Sequence, residues 1–344
     1  MIQKRAALIG LGMVADTHAR ALAEASNAAL HGVFARDPDK AAAFAARHGD
    51  PVAYPSLEAL MADEKVDFVI LLTPPDARAD IIDQLAAARL PVLMEKPVER
   101  DSARATRVIE TLEAAGLPCG VTLQHRMRGA AMALKDRLAT GDLGGIGTVD
   151  VRVPWWRDQS YYDAPGRGTY ARDGGGVLLT QAIHTLDLML HLCGPVTAVQ
   201  AMTATSRLHA MEAEDFATAG LVFADGALGS VMASTAQFPG AAEEIVISAE
   251  HGTARLMGDS LTIHRRDGST EEIAGAAETG GGADPMAFTH GWHQAVIEDF
   301  AAALSEARAP AITGRSALAV HRLIDAIARS SAEGRRVDLE HTHG

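Results

Sequence analysis

Over the first 122 residues, short apolar runs alternate with Ala-rich stretches whose apolar positions recur three and four apart, the pattern of βαβ units built around a parallel sheet. Strands are expected near Ala6–Ile9, Ala29–Phe34, Phe68–Leu72, Val92–Met94 and Cys119–Thr122, with helices near Val14–Ser26, Pro38–His48, Asp76–Ala88 and Asp101–Ala115 between them. From about Ile146 the rhythm changes, and Val149, Val151 and Val153 alternate with polar residues. Strand-like runs recur at Val196–Ser206, Phe216–Phe223, Ala227–Ser234, Ile245–Ser248, Thr253–Met257 and Leu261–Arg265. Turns as short as Ala224-Asp225-Gly226 join them, so this sheet should be open and mainly antiparallel. Two helices, Pro285–Ala307 and Gly314–Ser331, close the chain. The expected fold is therefore α/β: a doubly wound parallel sheet over residues 1–122, then an α+β domain over residues 123–344 that includes C-terminal helices at 285–331.

A length of 344 residues agrees with two domains. The net charge of −13 opposes general attraction to nucleic acid or an anionic membrane surface, since both need basic patches. The longest stretch free of Asp, Glu, Lys and Arg, Leu188–Ser206, is broken by Gly194-Pro195 and does not read as a membrane span. Two cysteines, Cys119 and Cys193, suit a reducing compartment, and the N-terminus lacks the pattern of a signal peptide, so a cytoplasmic location is expected. Aromatics are only 4% of the chain, yet five of its seven Trp and Tyr residues fall between Trp155 and Tyr170.

The first strand runs into Gly10-Leu11-Gly12-Met13-Val14-Ala15, a G-x-G-x-x-A sequence that opens a helix. In a Rossmann unit the first glycine allows the tight turn, the second lets the backbone approach a pyrophosphate, and the small third residue lets helix and strand pack closely. The helix N-terminus adds N–H groups and the positive end of its dipole. At the end of the second strand the residue aligned with the usual ribose-binding acid is Ala35, followed by Arg36, which favours the 2′-phosphate of NADP over NAD. Asp37 is the alternative acid for NAD, or else the N-cap of the next helix, ahead of Pro38.

Further along stand Thr73-Pro74-Pro75, Glu95-Lys96-Pro97, Gln124-His125-Arg126 and a run from Gly174-Gly175-Gly176 through Thr180, Gln181 and His184 to Asp187. With the glycine turn, this ordered set resembles the Gfo/Idh/MocA family of NAD(P)-dependent sugar and cyclitol oxidoreductases, and the likeness covers nearly the whole chain. The resemblance implies that Lys96 and His184 are the catalytic pair beside the nicotinamide. It also implies cofactor contacts from Gly10, Gly12, Met13, Val14, Ala35, Arg36, Thr73, Pro74, Pro75, Glu95, Lys96 and Gln124. Oxidising an alcohol removes a hydride from carbon and a proton from oxygen, so a base must reach that oxygen; histidine titrates in the right range, and an ammonium stabilises developing alkoxide charge. Asp187, one turn beyond His184, either orients the imidazole or pairs with an arginine. Many relatives carry Asp four residues before the catalytic His, where this chain has Thr180, and a His where this chain has Arg78. An arginine at position 78 suits an anionic substrate or a phosphate, or is simply solvated on its helix. No His, Asp and Glu cluster shows metal-ligand spacing along the sequence, so no metal is expected.

The aromatic cluster lies in a long loop between the first strand of the second domain and the glycine turn before His184. Aromatic faces suit the CH face of a sugar, and Arg157 and Arg167 suit hydroxyls or a carboxylate. The expected substrate contacts are Arg126, Arg157, Tyr161, Tyr162, Arg167, Thr180, Gln181 and His184; the alternative for these aromatics is a domain or subunit interface. The leading expectation is an NAD(P)-dependent oxidoreductase that works as a homodimer or homotetramer on a sugar or cyclitol, without nucleic-acid or membrane partners. The alternatives are a lyase or hydrolase that oxidises its substrate transiently and regenerates its cofactor, and a non-catalytic NAD(P)-binding regulator.

Overall fold

The computed structural model describes residues 3–275 and 288–339. Elements follow in the order β1 (Lys4–Ile9), α1 (Ala15–Glu24), β2 (Ala28–Phe34), α2 (Pro38–Arg47), β3 (Val52–Ala53), α3 (Leu57–Met61), β4 (Phe68–Leu71), α4 (Ala79–Ala87), β5 (Val92–Glu95), α5 (Ser102–Ala114) and β6 (Cys119–Thr122). Then come α6 (Gly129–Ala139), β7 (Ile146–Pro154), α7 (Gln159–Tyr162), α8 (Ile183–Cys193), β8 (Val196–Ala204), β9 (Phe216–Phe223), β10 (Leu228–Ser234), β11 (Glu244–Ala249), β12 (Gly252–Met257), β13 (Ser260–Arg265) and β14 (Thr270–Ile273). The chain ends with α9 (Gly291–Glu306), α10 (Gly314–Glu333) and β15 (Val337–Asp338). Among the described residues no helix is long and apolar enough to cross a membrane.

The chain divides into two units. The first holds the residues up to Glu99, Ala103–Gln124 and His290–Leu318. Its six parallel strands run β3-β2-β1-β4-β5-β6, the doubly wound order with a reversal between β1 and β4. Strand β4 is buried along its whole length, as its uninterrupted sequence FVIL requires of a strand covered on both faces. Two changes come from packing that the sequence pattern does not carry. Strand β3 and helix α3 are too short to show a period, and α9 packs against α1 in this unit rather than with the residues after 123. Gln294 donates to the Glu24 carbonyl at 3.0 Å, and the Glu298 carboxylate accepts the Ser26 amide at 2.7 Å. The expected assignment of 285–331 to the second domain is therefore corrected for His290–Leu318, and the start expected at Pro285 lies outside the described residues.

The second unit holds Arg100–Ser102, His125–Thr289 and the residues from Ala319 onward. Its nine-stranded sheet runs β14-β13-β12-β11-β7-β10-β9-β8-β15, antiparallel throughout except for the β7–β10 pair. Alternate residues of β9, β11 and β12 are buried, which leaves one face of the sheet covered and one open. Helices α6 and α8 pack on it. The sequence pattern missed α6, whose apolar positions are mostly small alanines, and the short strands β14 and β15.

Candidate active site

In the first unit, Gly10 has φ +92, and a Cβ there would lie 3.0 Å from the Thr73 amide nitrogen. Only glycine fits that close approach between the loops after β1 and β4. A Cβ on Gly12 would meet nothing within 4 Å, so the backbone there borders open space in front of α1. Ala15 is fully buried at the start of the helix. This glycine turn, set where the strand order reverses, has the room and the helix N-terminus that a dinucleotide pyrophosphate requires. Met13 is exposed beside it, and Pro74 is exposed on the neighbouring loop while Pro75 is buried. The Thr73 hydroxyl and the Gln124 side-chain oxygen are buried without partners among the described residues. Beyond β2, Ala35 is half-buried and Arg36 exposed. Asp37 caps α2, one carboxylate oxygen accepting the amides of Asp39 and Lys40 at 3.0 and 3.2 Å.

Lys96 follows β5 on a turn held from two sides. Beneath it Arg78 is buried and does not reach toward a ligand as the sequence suggested. Its guanidinium donates to the Thr73 carbonyl at 2.7 and 3.0 Å, to Val98 at 3.3 Å, and to the carbonyls of Glu95 and Pro97. Burial pulls it down to about 10 against the nearby carboxylates, so it stays charged at neutral pH. The Glu95 carboxylate accepts from His18 Nε2 at 2.8 Å and from the Lys96 amide at 3.1 Å. Burial opposes its ionisation, but the His18 hydrogen bond and the nearby His18, His293 and Lys96 hold the carboxyl down at about 2. Burial, with His18, drops His293 to about 3. Glu95 was expected to touch the cofactor; instead its side chain braces the turn from inside.

His18, Glu95 and His293 together place possible ligand atoms within 4.8 Å of one another, a grouping that positions 18, 95 and 293 conceal in sequence. The 2.8 Å contact between His18 and Glu95 is a hydrogen-bond distance, so a proton already occupies that edge of the cluster. The only sign of His18 in the sequence is a lone histidine on the apolar face of α1, beside Ala15, Ala19 and Leu22.

In the second unit His184 is buried near the start of α8, just beyond a turn of wider π-helical winding over Leu178–Ala182. Such turns are frequent at functional sites. The approach to it needs glycine: a Cβ on Gly176 would fall 1.7 Å from the Glu214 carbonyl oxygen, and Gly174 has φ +82, where a Cβ would fall 2.6 Å from the Arg100 Cα. The Glu214 carboxylate accepts the amides of Gly176 and Leu178 at 3.0 and 3.1 Å, and its carbonyl accepts that of Val177 at 2.8 Å. Burial raises its carboxyl against those hydrogen bonds. Nothing in the sequence marks Glu214, which lies far from the turn it holds.

The His184 ring stacks on His125 at 4.8 Å and 27°. Arg128 donates to His125 Nε2 at 2.6 Å and to Glu243 at 2.5 Å, so His125 accepts at Nε2. Asp187 takes the second of its two expected roles, receiving Arg126 through two hydrogen bonds at 2.7 and 2.5 Å. Burial raises the Asp187 carboxyl against the pull of Arg126.

The structure separates the aromatic loop into two sets. Trp155 donates to Glu243 at 3.2 Å, and the Tyr162 hydroxyl is buried against the Thr235 hydroxyl at 2.6 Å. Arg157 is buried and donates to the Trp156 carbonyl at 2.7 Å. These residues hold the loop from within, so Arg157 and Tyr162, expected to contact substrate, are occupied in its interior. Half-buried Tyr161 and Arg167 form the second set, with Arg167 donating to the Tyr161 hydroxyl at 3.0 Å and lying 4.5 Å from its ring centre. Gln181 donates to the same oxygen at 3.4 Å, and its own side-chain oxygen accepts from Thr180.

Residues 4–123 match the model of an oxidoreductase family with an NAD-binding Rossmann fold, and residues 131–255 match the GFO/IDH/MocA C-terminal domain. The D-apiose dehydrogenase of Paraburkholderia graminis is 27% identical over 98% of this chain and 90% of its own length. The inositol 2-dehydrogenase of Rhizobium meliloti is 27% identical over 97% of this chain and 99% of its own. The crystal structure of the WlbA dehydrogenase of Bordetella pertussis, in complex with NADH and UDP-GlcNAcA, superposes with a TM-score of 0.83 at 29% identity, covering 99% of this chain and 100% of that one. The chain thus belongs to the GFO/IDH/MocA oxidoreductase family and is an NAD(P)-dependent oxidoreductase.

Proposed function

We propose that the enzyme oxidises a secondary alcohol of a sugar, sugar derivative or cyclitol to the ketone, or reduces the ketone, with Lys96 and His184 handling the substrate oxygen and its proton. The bracing of Lys96 carries this reading. A buried guanidinium fixes the backbone on both sides of the residue, and Glu95 accepts its amide, more support than a solvated surface lysine requires. Two relatives are named for apiose, a sugar, and inositol, a cyclitol. A bound nicotinamide supplies the hydride acceptor or donor. Lys96 holds the substrate oxygen as charge develops on it, and His184 takes or returns its proton. Gly10, Gly12 and the N-terminus of α1 would hold the pyrophosphate, with Met13, Val14, Thr73, Pro74, Pro75 and Gln124 around the rest of the cofactor.

NADP is favoured over NAD, because Ala35 and exposed Arg36 follow β2 and the Asp37 side chain caps α2. The open sheet face of the second unit exposes Met202, Leu228 and Met257, which supports assembly as a homodimer or homotetramer.

The test is turnover of a panel of sugars and cyclitols with each cofactor, followed at 340 nm. Lys96→Met and His184→Ala should each lower kcat about 100-fold or more while cofactor binding, measured by fluorescence, persists. Wild-type turnover in both variants would sink the assignment. A tenfold preference for NAD would remove the role given to Arg36.

A further inference from the structure

We propose that Arg167 and Tyr161 form an anion subsite beside the His184 helix and that the substrate bears a carboxylate there, as in an aldonic or uronic acid. The proposal deepens the dehydrogenase reading and rests on it for the identity of the ligand.

Arg167 is a half-buried guanidinium with no ion-pair partner among the described residues, and its Nε is buried without a hydrogen-bond partner among them. Carboxylates are not lacking nearby, but each is committed elsewhere. Asp173 accepts the Gly168 amide at 2.8 Å and lies 3.8 Å from Arg172. Glu212 accepts the Tyr170 amide at 3.1 Å, Asp163 accepts from Gln159 at 2.9 Å, and Glu214 holds the glycine turn. A partly desolvated cation without a counter-charge is unfavourable, and a neutral ligand's hydroxyls would accept its hydrogen bonds but bring no counter-charge. A carboxylate compensates it, with the planar match of guanidinium to carboxylate.

The cation is also fixed in place. It stacks 4.5 Å over the Tyr161 ring and donates to that hydroxyl at 3.0 Å. Gln181 approaches the same oxygen at 3.4 Å and also meets the Thr180 hydroxyl, which donates to the Gly176 carbonyl at 2.6 Å. The phenol oxygen accepts from Arg167, so its own proton points away from the guanidinium. Arg167 and Tyr161 together offer two donors to two carboxylate oxygens. Gln181 precedes His184 by three residues in one helical run, which ties the subsite to the proposed catalytic imidazole.

Arg126 and Arg128 do not compete for this role. Each has a buried carboxylate partner, Asp187 and Glu243 respectively.

The experiment compares matched pairs, D-glucuronate with D-glucose and D-gluconate with D-glucitol, in turnover and in calorimetric binding to enzyme loaded with cofactor. The acid of each pair should be favoured roughly ten- to a hundredfold, the strength of one charged hydrogen-bonding group. Arg167→Gln should abolish that preference through KM or Kd, weakening the acid at least about tenfold more than its neutral partner, while Arg167→Lys should restore part of it. If no pair and nothing in the wider panel of sugars and cyclitols turns over, yet the acids bind and Arg167→Gln removes that binding, the subsite stands and the proposed sugar or cyclitol reading falls. Acids that bind no more tightly than their neutral partners, or an Arg167→Gln variant that weakens both members equally, would overturn the proposal.

Discussion

Two turns, one in each unit, carry the residues proposed for catalysis, and each is held by a buried charged side chain of opposite sign. At the turn of Lys96, Arg78 gathers the carbonyls of Thr73, Glu95, Pro97 and Val98. At the turn before His184, Glu214 gathers the amides of Gly176 and Leu178. The difference follows from backbone polarity. The ends of parallel strands present carbonyls to which no neighbouring strand donates, whereas the start of a helix presents amides without acceptors. The sign of the buried clamp is set by which backbone group the element leaves over.

Removing the clamps tests this comparison, and the cation should matter more because it serves more groups. Arg78→Met should destabilise the protein by about 4 kcal/mol or more, since each buried carbonyl left unpaired costs about 1–3 kcal/mol. Denaturant unfolding measures it, and a loss below about 1 kcal/mol would mean that water replaces the guanidinium. Glu214→Ala should cost less, about 1–3 kcal/mol, because the Glu214 carbonyl still receives the Val177 amide. In that variant hydrogen exchange should quicken at Gly176 and Leu178 and not around Lys96.

The smallest effect expected is a difference in acid response. Glu95 and His293 in the first unit both titrate lower than normal, at about 2 and about 3. The stability they contribute is fully present above their unfolded values near 4.5 and 6.5, and it is lost as pH falls through the folded ones. Glu214 and Asp187 in the second unit are raised. Their contribution is present below the ordinary carboxylate range and is lost as pH rises through their folded values. Hydrogen exchange followed from pH 7 down to pH 3 should therefore loosen α1, β5 and α9 before α8, and the reverse order would contradict the assignment.

Periodicity made the two sheets legible. Strands β1, β2, β4, β5 and β6 and the β8 to β13 series were each anticipated within a few residues, because burial on both faces or on one face writes itself into the residue pattern. Short β3, β14 and β15 carry too few residues to show a period, and α6 packs with alanines that mark no strong face. Lys96 and His184, the residues proposed for catalysis, were singled out because each sits in a local motif. Their supports were not. Arg78 reads in sequence as a ligand contact or a solvated helix residue, yet its partners lie at positions 73, 95, 97 and 98.

By itself the sequence determined what short-range physics encodes: the glycine turn that needs φ +92 at Gly10, the alternation of strands and helices, and a helix cap at Asp37 that was one of two readings. Tertiary structure alone decided which charges are used up. Arg126 goes to Asp187, Arg128 to Glu243 and Arg78 to carbonyls, whereas Arg167 has no carboxylate partner among the described residues. The reason is that a charge buried on folding must find its counterpart through space, and the residues that supply it are set by packing, with no spacing along the chain to announce them.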